Sequence, residues 1–507
     1  MRNYAAITIG PIIETISNVS TPGALWCASG MFSNLASDLC ERVLNDIPDA
    51  IIVSPAYQKG FKCKDGIGRW HDRIFFHCQL DTDELYKRLE QITDQAKEQL
   101  ARNVCKAIES PNAQEVEDYI RKYIQINWLV APEFAAEADG KNCILNLSKY
   151  LDSAELSSGF SSDETESPLT KLFVGKKDAG NYYIKNCWLV PEGEKIQLKD
   201  EHNNIRDIAS IANPEGKTDK KKIRSYFAVV QSDGDGMGAC LESCTSAKAV
   251  EVFSKACIEY TQAAAELIGE YGGLTVYAGG DDLLFLAPLE GYGGENILSL
   301  CKKISGVFSK YFREFSEKSG CVSPTLSFGI SINYTSAPLY EAVKEVVPLL
   351  MCDAKSGDKN KIAVSMHKHS GQSVKFVVPN RWEENTPLCD LEKLVSKSAA
   401  SADDADGILK SVLYALDTFS ASYEFCRSGK IDTQNFFDNT FDNVGQAGGR
   451  GYIDFVKKFG DVIASDGTCK ASDNSSANKG DLTDKETHIL NAMLRFAKLY
   501  SERGEEQ

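Results

Sequence analysis

No apolar run in this 507-residue sequence reaches the roughly 18 residues that a membrane-spanning helix requires. Residues 5–13 imitate the core of a signal peptide, but Gly10 and Pro11 interrupt them. The alternation of apolar residues there is typical of a half-buried strand. We therefore expect a cytoplasmic protein without a membrane partner.

Paired cysteines are also missing, since none of the 16 cysteines forms a C-x-x-C motif. Cys240 and Cys244 are the closest in sequence and lie in a predicted helix. Scattered cysteines in a chain of this size are typical of reduced, buried thiols. A structural zinc site could still combine distant ligands such as Cys143 and Cys187, although their spacing does not favour one.

An excess of positive charge is absent as well. The 72 acidic residues outnumber the 56 basic ones, and the net charge is −16. This balance disfavours a protein that coats nucleic acid through bulk electrostatics, so any contact with RNA would be local or shared with basic partners. The one dense basic run, residues 217–224 (KTDKKKIR), is typical of a solvated linker.

Several common catalytic motifs do not occur: the G-x-x-x-x-G-K-[ST] loop, the G-x-S-x-G elbow and the H-E-x-x-H helix. The dipeptide His71-Asp72 has the form found in some metal-dependent phosphohydrolases. The remaining histidines do not supply further ligands at helical spacing. We therefore interpret this dipeptide as an ordinary strand edge.

What the chain does contain is the pattern of a multidomain α+β protein, with 43% hydrophobic and 25% charged residues. Residues 1–135 show the order strand, helix, strand, strand, helix and predict a compact α+β sandwich. Residues 136–222 are polar and Ser-rich and predict a small connector domain. Residues 223–378 predict a ferredoxin-like βαββαβ unit with an added helix and strand. Residues 379–507 predict a C-terminal helical bundle.

Two acidic motifs follow apolar strands within residues 223–378. The strand YFAVVQ ends in SDGDG, which places Asp233 and Asp235 two positions apart and therefore on one face of an extended backbone. Gly234 leaves room for a ligand beside the main chain. Each such motif alone is a common turn, and only their order at the ends of ferredoxin-like strands favours a site.

The second motif is the turn of a predicted hairpin, which we expect to pair beside the first strand. It contains Gly279, Gly280, Asp281 and Asp282. Converging carboxylates repel one another by about several kcal/mol at intermediate dielectric, so a divalent cation would be needed to neutralise them. Oxygen ligands favour Mg²⁺ or Mn²⁺, and a pair of such ions supports nucleotidyl transfer with pyrophosphate as the leaving group.

A cation that could meet a triphosphate follows in the third helix of this unit. Lys355 lies near the end of that helix, and Lys359-Asn360 precedes the last strand. Many lysines at helix ends only complement the helix dipole, so both interpretations stay open for Lys355.

These segments resemble a known family. Residues 226–238 (YFAVVQSDGDGMG), 276–288 (VYAGGDDLLFLAP), 326–332 (LSFGISI) and 354–366 (AKSGDKNKIAVSM) resemble the second palm domain of the large polymerase-cyclase subunit of type III CRISPR effector complexes, of the Cmr kind. Residues 6–35 are similar to the first palm domain of that subunit, with Gly-Pro and a downstream Leu-Trp-x-x-Ser helix.

The resemblance implies two ferredoxin-like palms, at residues 1–135 and 223–378. It also implies an enzyme that makes a signalling nucleotide, a cyclic oligoadenylate, from ATP when target RNA binds to a guide RNA complex with other Cmr-type subunits. The metal ligands would be Asp233, Asp281 and Asp282, joined by Asp235, with Asp281 and Asp282 as the catalytic pair. Gly234, Gly279, Gly280 and Lys355 would contact the nucleotide.

The chain departs from the family pattern in two respects. The first palm begins at residue 4, so we do not expect the HD nuclease domain of many relatives or cleavage of single-stranded DNA. The paired cysteines of the connector's zinc site are missing.

Three alternatives remain. Some relatives without the nuclease domain resemble enzymes that join AMP to S-adenosylmethionine, and the same metals would activate ATP for either product. A stand-alone diguanylate-type cyclase is disfavoured because the turn is GGDD without Glu-Phe and a second palm flanks it. An idle scaffold of the ribonucleoprotein is disfavoured because the expected acids are intact.

Overall fold

The computed structural model describes most of the chain. The described residues are 2–17, 19–60, 66–157, 167–174, 188–189, 196–219, 221–369, 371–400, 402–427, 435, 439, 457–463, 466–473, 482 and 484–502. They form a four-stranded and a seven-stranded β-sheet with helices packed on both. The predicted α+β multidomain class is confirmed. No helix among these residues has the length and apolar character needed to cross a membrane.

The first sheet has the ferredoxin-like strand order β2-β3-β1-β4, with each strand antiparallel to its neighbours. Its strands are β1 (Asn3–Gly10), β2 (Ile51–Ser54), β3 (Arg73–Cys78) and β4 (Gln125–Pro132). Its helices are α1 (Ile12–Ser17), α2 (Pro22–Asp46), α3 (Thr82–Ala107) and α4 (Ala113–Tyr123). This matches the order of elements predicted from the sequence.

Local sequence explains where the long helices of this sheet begin. Thr21 caps α2 by accepting a hydrogen bond from the Ala24 amide, and Asp81 caps α3 by accepting one from the Glu84 amide. Buried apolar residues of α3, such as Leu85, recur at helical spacing along the face that meets the sheet.

Further helices lie between the two sheets in the sequence. They are α5 (Glu133–Ala136), α6 (Cys143–Ser157), α7 (Pro168–Val174) and α8 (Ile208–Ala212). Most of the predicted Ser-rich stretch lies outside the described residues, as does Cys187.

The prediction that residues 217–224 form a solvated linker is wrong for the end of that run. Lys221 and Arg224 both pair with Glu290, at 2.8 and 2.9 Å, and Glu290 is almost fully buried. Lys222 pairs with Glu502 at 3.0 Å. The cations are held by acids that are distant in sequence, which a charge pattern alone does not reveal.

The second sheet has the order β11-β10-β9-β8-β5-β7-β6. Its strands are β5 (Tyr226–Asp235), β6 (Leu274–Gly279), β7 (Asp282–Pro288), β8 (Thr325–Tyr334), β9 (Lys361–His367), β10 (Ser373–Pro379) and β11 (Lys470–Asp473). Strands β6, β7, β5 and β8 repeat the arrangement of the first sheet. Strand β9 is parallel to β8 and confirms the added helix and strand. Strands β10 and β11 were not predicted.

The helices of this sheet match the predicted ones. They are α9 (Met237–Ser243), α10 (Ala247–Tyr271), α11 (Ile297–Ser319) and α12 (Leu339–Pro348), which continues into a wider helical turn at Leu349–Ala354. Ser246 caps α10, and Gly272, with φ of 95°, ends it in the left-handed conformation. Phe253 and Tyr260 lie on its buried face.

The C-terminal segment is mainly helical but is joined to the second sheet. It contains α13 (Pro387–Ala400), α14 (Ala402–Thr418), α15 (Ser420–Arg427), helical residues 457–463 and α16 (Glu486–Leu499). Helices α14 and α15 are separated at Phe419. Helix α16 packs on β10, where the rings of Phe496 and Phe376 lie 5.7 Å apart.

The two sheets contact each other beside the β6–β7 hairpin. Gly68, in the loop before β3, forms a parallel bridge with Tyr277, and its carbonyl accepts a hydrogen bond of 2.7 Å from the Ala278 amide. This contact brings the first sheet against the edge strand that leads into the GGDD turn.

Candidate functional site

The two acidic motifs lie on neighbouring antiparallel strands. Asp233 and Asp235 lie at the C-terminal end of β5. Strand β5 pairs with β7, and the last residue pair of this ladder is Ser232 opposite Leu283. The hairpin closes with Gly279 opposite Asp282, so Asp281 lies at its tip. The expected pairing of the hairpin beside the first strand is confirmed.

Gly234 and Asp281 approach each other closely. A Cβ atom at position 234 would lie 2.7 Å from Asp281 Oδ2 and 2.6 Å from Met237 Cγ. No side chain therefore fits at position 234 without displacing its neighbours. The carboxylate of the hairpin tip thus reaches the backbone between Asp233 and Asp235.

Asp235 is fixed from one side by three donors. Its Oδ2 accepts hydrogen bonds from Ser327 Oγ at 2.7 Å, from Thr325 Oγ1 at 3.1 Å and from the Asn360 amide at 2.9 Å. Its Oδ1 is buried and accepts no hydrogen bond. One carboxylate oxygen is therefore anchored while the other is available to a cation. Ser327 and Thr325 were not singled out from the sequence.

Lys355 lies directly on this cluster. Its Nζ forms an ion pair with Asp233, donates to the Gly234 carbonyl at 3.1 Å and lies 3.9 Å from Asp235 Oδ1. Since one ammonium reaches both carboxylates, Asp233 and Asp235 share a face of the strand, as predicted. Burial, with the nearby charge of Lys359, lowers the pKa of Lys355 to about 8.

The environment of Asp281 and Asp282 disfavours their ionised forms and raises both pKa values. Burial and the charge of Asp235 raise the pKa of Asp281 to about 6, although hydrogen bonding from the backbone of Asp281 and Gly234 opposes the rise. Burial and the charges of Asp281 and Asp72 raise the pKa of Asp282 well above its ordinary value. Additional positive charge would stabilise the ionised cluster.

Asp72 is a neighbour of the cluster that the sequence did not reveal. It belongs to the loop before β3 in the first sheet, and its charge acts on both Asp282 and Tyr277. The adjacent His71 is held near Ser54 Oγ at 3.3 Å, and burial lowers its pKa. The His71-Asp72 dipeptide lies directly before β3, as expected for a strand edge. This edge of the first sheet faces the second sheet.

Both glycines of the hairpin turn are required by the local structure. A Cβ atom at Gly279 would lie 2.5 Å from the Tyr277 hydroxyl and 2.9 Å from the Arg69 carbonyl oxygen. Gly280 has φ of 67°, a conformation that favours glycine. Close packing against the first sheet therefore explains Gly279, and the turn geometry explains Gly280.

The residues present suit a hard divalent cation, although the described residues include no group of three or more His, Cys, Asp or Glu side chains arranged to hold a metal. All candidate donors at the cluster are carboxylate oxygens, which Mg²⁺ and Mn²⁺ prefer. Asp235 Oδ1 and Asp282 Oδ1 are both buried without a hydrogen-bond partner. Each of these oxygens is therefore available as a ligand to a cation.

Residues of the second sheet match a known family model. The family model of the Cas10/Cmr2 second palm domain matches residues 226–363, which include both acidic motifs and Lys355. These residues are therefore similar to a Cas10/Cmr2 second palm. A stretch of 217 residues is 26% identical to the CRISPR system Cmr subunit Cmr2 of Pyrococcus furiosus. That match covers 37% of this chain and only 24% of the relative.

Solved structures share the fold beyond the second palm. A Csm1-Csm4 cassette in complex with cA4 matches with a TM-score of 0.55 and 14% identity, covering 99% of this chain and 70% of that chain. A cassette in complex with one ATP matches with a TM-score of 0.52 and 13% identity over 98% and 70%. The likeness confirms the fold, and the match to the family model over residues 226–363 confirms the resemblance found in the sequence.

Proposed function

We propose that the acidic cluster of the second palm is a nucleotidyl-transfer site that uses ATP. The observation that carries the proposal is the close approach of Asp281 to Gly234, which gathers acids from two adjacent strands beside Lys355. Such a cluster of oxygen donors is the arrangement that binds divalent cations for phosphoryl chemistry. The fold likeness to cassettes in complex with ATP and cA4 supports ATP as the substrate.

Each residue of the cluster has a proposed role in the reaction. Asp281 and Asp282 are the proposed catalytic pair, and together with Asp233 and Asp235 they would hold Mg²⁺ or Mn²⁺. When bound, the metal would activate the attacking hydroxyl and stabilise the leaving pyrophosphate. Lys355 screens the acids and offers its ammonium to a phosphate.

Gly234, Gly279 and Gly280 are the proposed nucleotide contacts, through the atoms of their backbone. Gly279 already packs tightly against Arg69 and Tyr277, so its contact with a nucleotide would be through the backbone.

The proposed product is a cyclic oligoadenylate, made when target RNA binds a guide RNA complex with other Cmr-type subunits. Transfer of AMP to S-adenosylmethionine is the alternative, since both reactions begin with the same activation of ATP. An idle scaffold is the remaining alternative, and the orphaned oxygens of Asp235 and Asp282 speak against it because an unused buried carboxylate oxygen is costly.

The test is product formation by the assembled complex. We expect labelled ATP, Mg²⁺, guide RNA and matching target RNA to give a nucleotide product, with S-adenosylmethionine present or absent to identify the acceptor. The isosteric variants Asp281→Asn and Asp282→Asn should lower the rate at least about a hundredfold, because each removes a charge that holds the metal. Asp118→Asn, on the exposed face of α4, is the matched control and should leave the rate unchanged.

Two outcomes would contradict the proposal. One is the absence of any nucleotide product with intact complex and RNA, which would favour the scaffold. The other is wild-type product formation by both hairpin variants, which would place the chemistry elsewhere.

A further inference from the structure

A basic groove lies behind the acidic cluster, between α11 and the ends of β8 and β10. Its volume is about 960 Å³. Four cations line it, and they are Lys302, Lys310, Arg313 and Arg381. Glu317 and Glu383 are its two acids, so the groove carries a net charge of +2 in a chain whose net charge is −16.

The cations of the groove are exposed and, among the described residues, are not held in ion pairs. Within the described part of the chain, no ion pair holds any of the four, whereas Lys303 on the same helix pairs with Glu295 at 2.6 Å. Lys302, Lys310 and Arg313 recur at helical spacing along one side of α11. Eleven residues of helix extend about 16 Å, so these cations form a row rather than a point.

An aromatic side chain stands at one end of this row. The Trp382 indole Nε1 donates a hydrogen bond of 2.7 Å to Asn380 Oδ1, and Asn380 Nδ2 donates one of 2.7 Å to the Leu326 carbonyl. Asn380 is buried, so the ring is held in a fixed orientation. Lys302 Nζ lies 5.7 Å from the ring centroid, where a nucleobase could replace it.

We infer that this groove binds a single-stranded nucleic acid. A row of cations that follows a backbone, combined with an aromatic ring for base stacking, is the chemistry that recognises single strands. A row of about 16 Å is long enough to contact several successive phosphates of one strand. A small anion would need a compact cluster of cations, and an acidic peptide would gain nothing from the ring.

The groove reaches the back of the candidate active site. Thr325 and Asn360 line it, and both donate hydrogen bonds to Asp235 Oδ2. A strand in the groove would therefore contact the residues that hold one of the four acids. The inference goes beyond the proposed function and does not depend on it, because strand binding is measured without ATP.

The experiment measures fluorescence anisotropy of a 5′-labelled oligoadenylate RNA with the purified full chain over a series of salt concentrations. The groove variant combines Lys310→Gln, Arg313→Gln and Arg381→Gln. The slope of log K against log salt should become shallower by about 2, because each neutralised phosphate contact contributes about 0.7 for a single strand. Affinity at about 0.1 M salt should fall at least about tenfold.

Two further variants complete the design. Trp382→Ala should weaken binding at least about fivefold with little change in slope, because it removes stacking and not charge. The matched control, Lys248→Gln, Lys255→Gln and Lys344→Gln, removes the same charge from exposed positions outside the groove and should leave affinity unchanged. Thermal unfolding of every variant shows whether it is folded.

Any of three results would overturn the inference. The folded groove variant could bind the RNA as tightly as the wild type. The control could lose as much affinity as the groove variant, which would make the effect one of bulk charge. Inorganic phosphate or polyglutamate could displace the RNA as well as unlabelled oligonucleotide does at equal charge concentration, which would assign the groove to a different ligand class.

Discussion

Gly234→Ala is the substitution that most directly tests the geometry of the acidic cluster. The backbone at Gly234 lies outside the left-handed region, so alanine can adopt it without strain. The new methyl group would lie 2.7 Å from Asp281 Oδ2 and 2.6 Å from Met237 Cγ. Both contacts are much closer than ordinary van der Waals distances, which begin at 3.4 Å.

The size of the effect follows from those distances. To restore ordinary contact, the Asp281 carboxylate must retreat by about 0.7 Å, and the flexible Met237 side chain must move as well. Overpacking of this kind costs about 1–3 kcal/mol of stability. A displacement of about 1 Å at reacting groups costs about a hundredfold in rate, so we expect product formation to fall ten- to a hundredfold.

The assay compares nucleotide product formation by the assembled complex with thermal unfolding of the chain. Gly238→Ala is the matched control, because a Cβ atom there meets nothing within 4 Å and alanine favours the helix α9. Adding Met237→Ala to Gly234→Ala should recover stability but not rate, since the contact with Asp281 remains. A folded Gly234→Ala protein with the wild-type rate would refute the reasoning.

Two predictions concern stability. His367 Nε2 lies 2.6 Å from Glu345 Oε1, and that hydrogen bond raises the pKa of His367. The stabilisation by this pair is therefore full below about pH 6.5 and is lost as the pH rises through the raised pKa of His367. The melting-temperature difference between wild type and His367→Gln should shrink towards pH 8. Because the pair is partly exposed, its contribution to the free energy of unfolding should stay within about 1 kcal/mol. Glu290→Gln should destabilise the chain by about 1–3 kcal/mol in urea unfolding, because it removes one of the two carboxylates, with Asp219, that pair with the buried Arg224 guanidinium. Glu251→Gln, which breaks an exposed pair, should cost under about 1 kcal/mol, and equal losses for the two variants would contradict the burial argument.

Much of the second palm could be predicted because its signals are local. The apolar strand before Asp233, the capped helix α10 and the GGDD turn each carry their own pattern, and the ferredoxin-like order follows from their sequence. The pairing of β5 with β7 follows in turn from that order, and it brings Asp281 to Gly234.

Features that depend on distant contacts could not be predicted. Strand β11 (Lys470–Asp473) has four residues and no apolar alternation, and it becomes a strand only by pairing with β10. Asp72 reaches Asp282 only because the two sheets are docked through Gly68. The ion pairs of Arg224 and Lys222 likewise join residues far apart in sequence.

The bridge between Gly68 and Tyr277 gives the two palms a mechanical connection. The hydrogen bond from the Ala278 amide to the Gly68 carbonyl lies only three positions before Asp281 along the same hairpin. The Arg69 backbone also packs against Gly279, so the first palm is in direct contact with the turn. A small rotation of one palm against the other would therefore change the positions of Asp281 and Asp282.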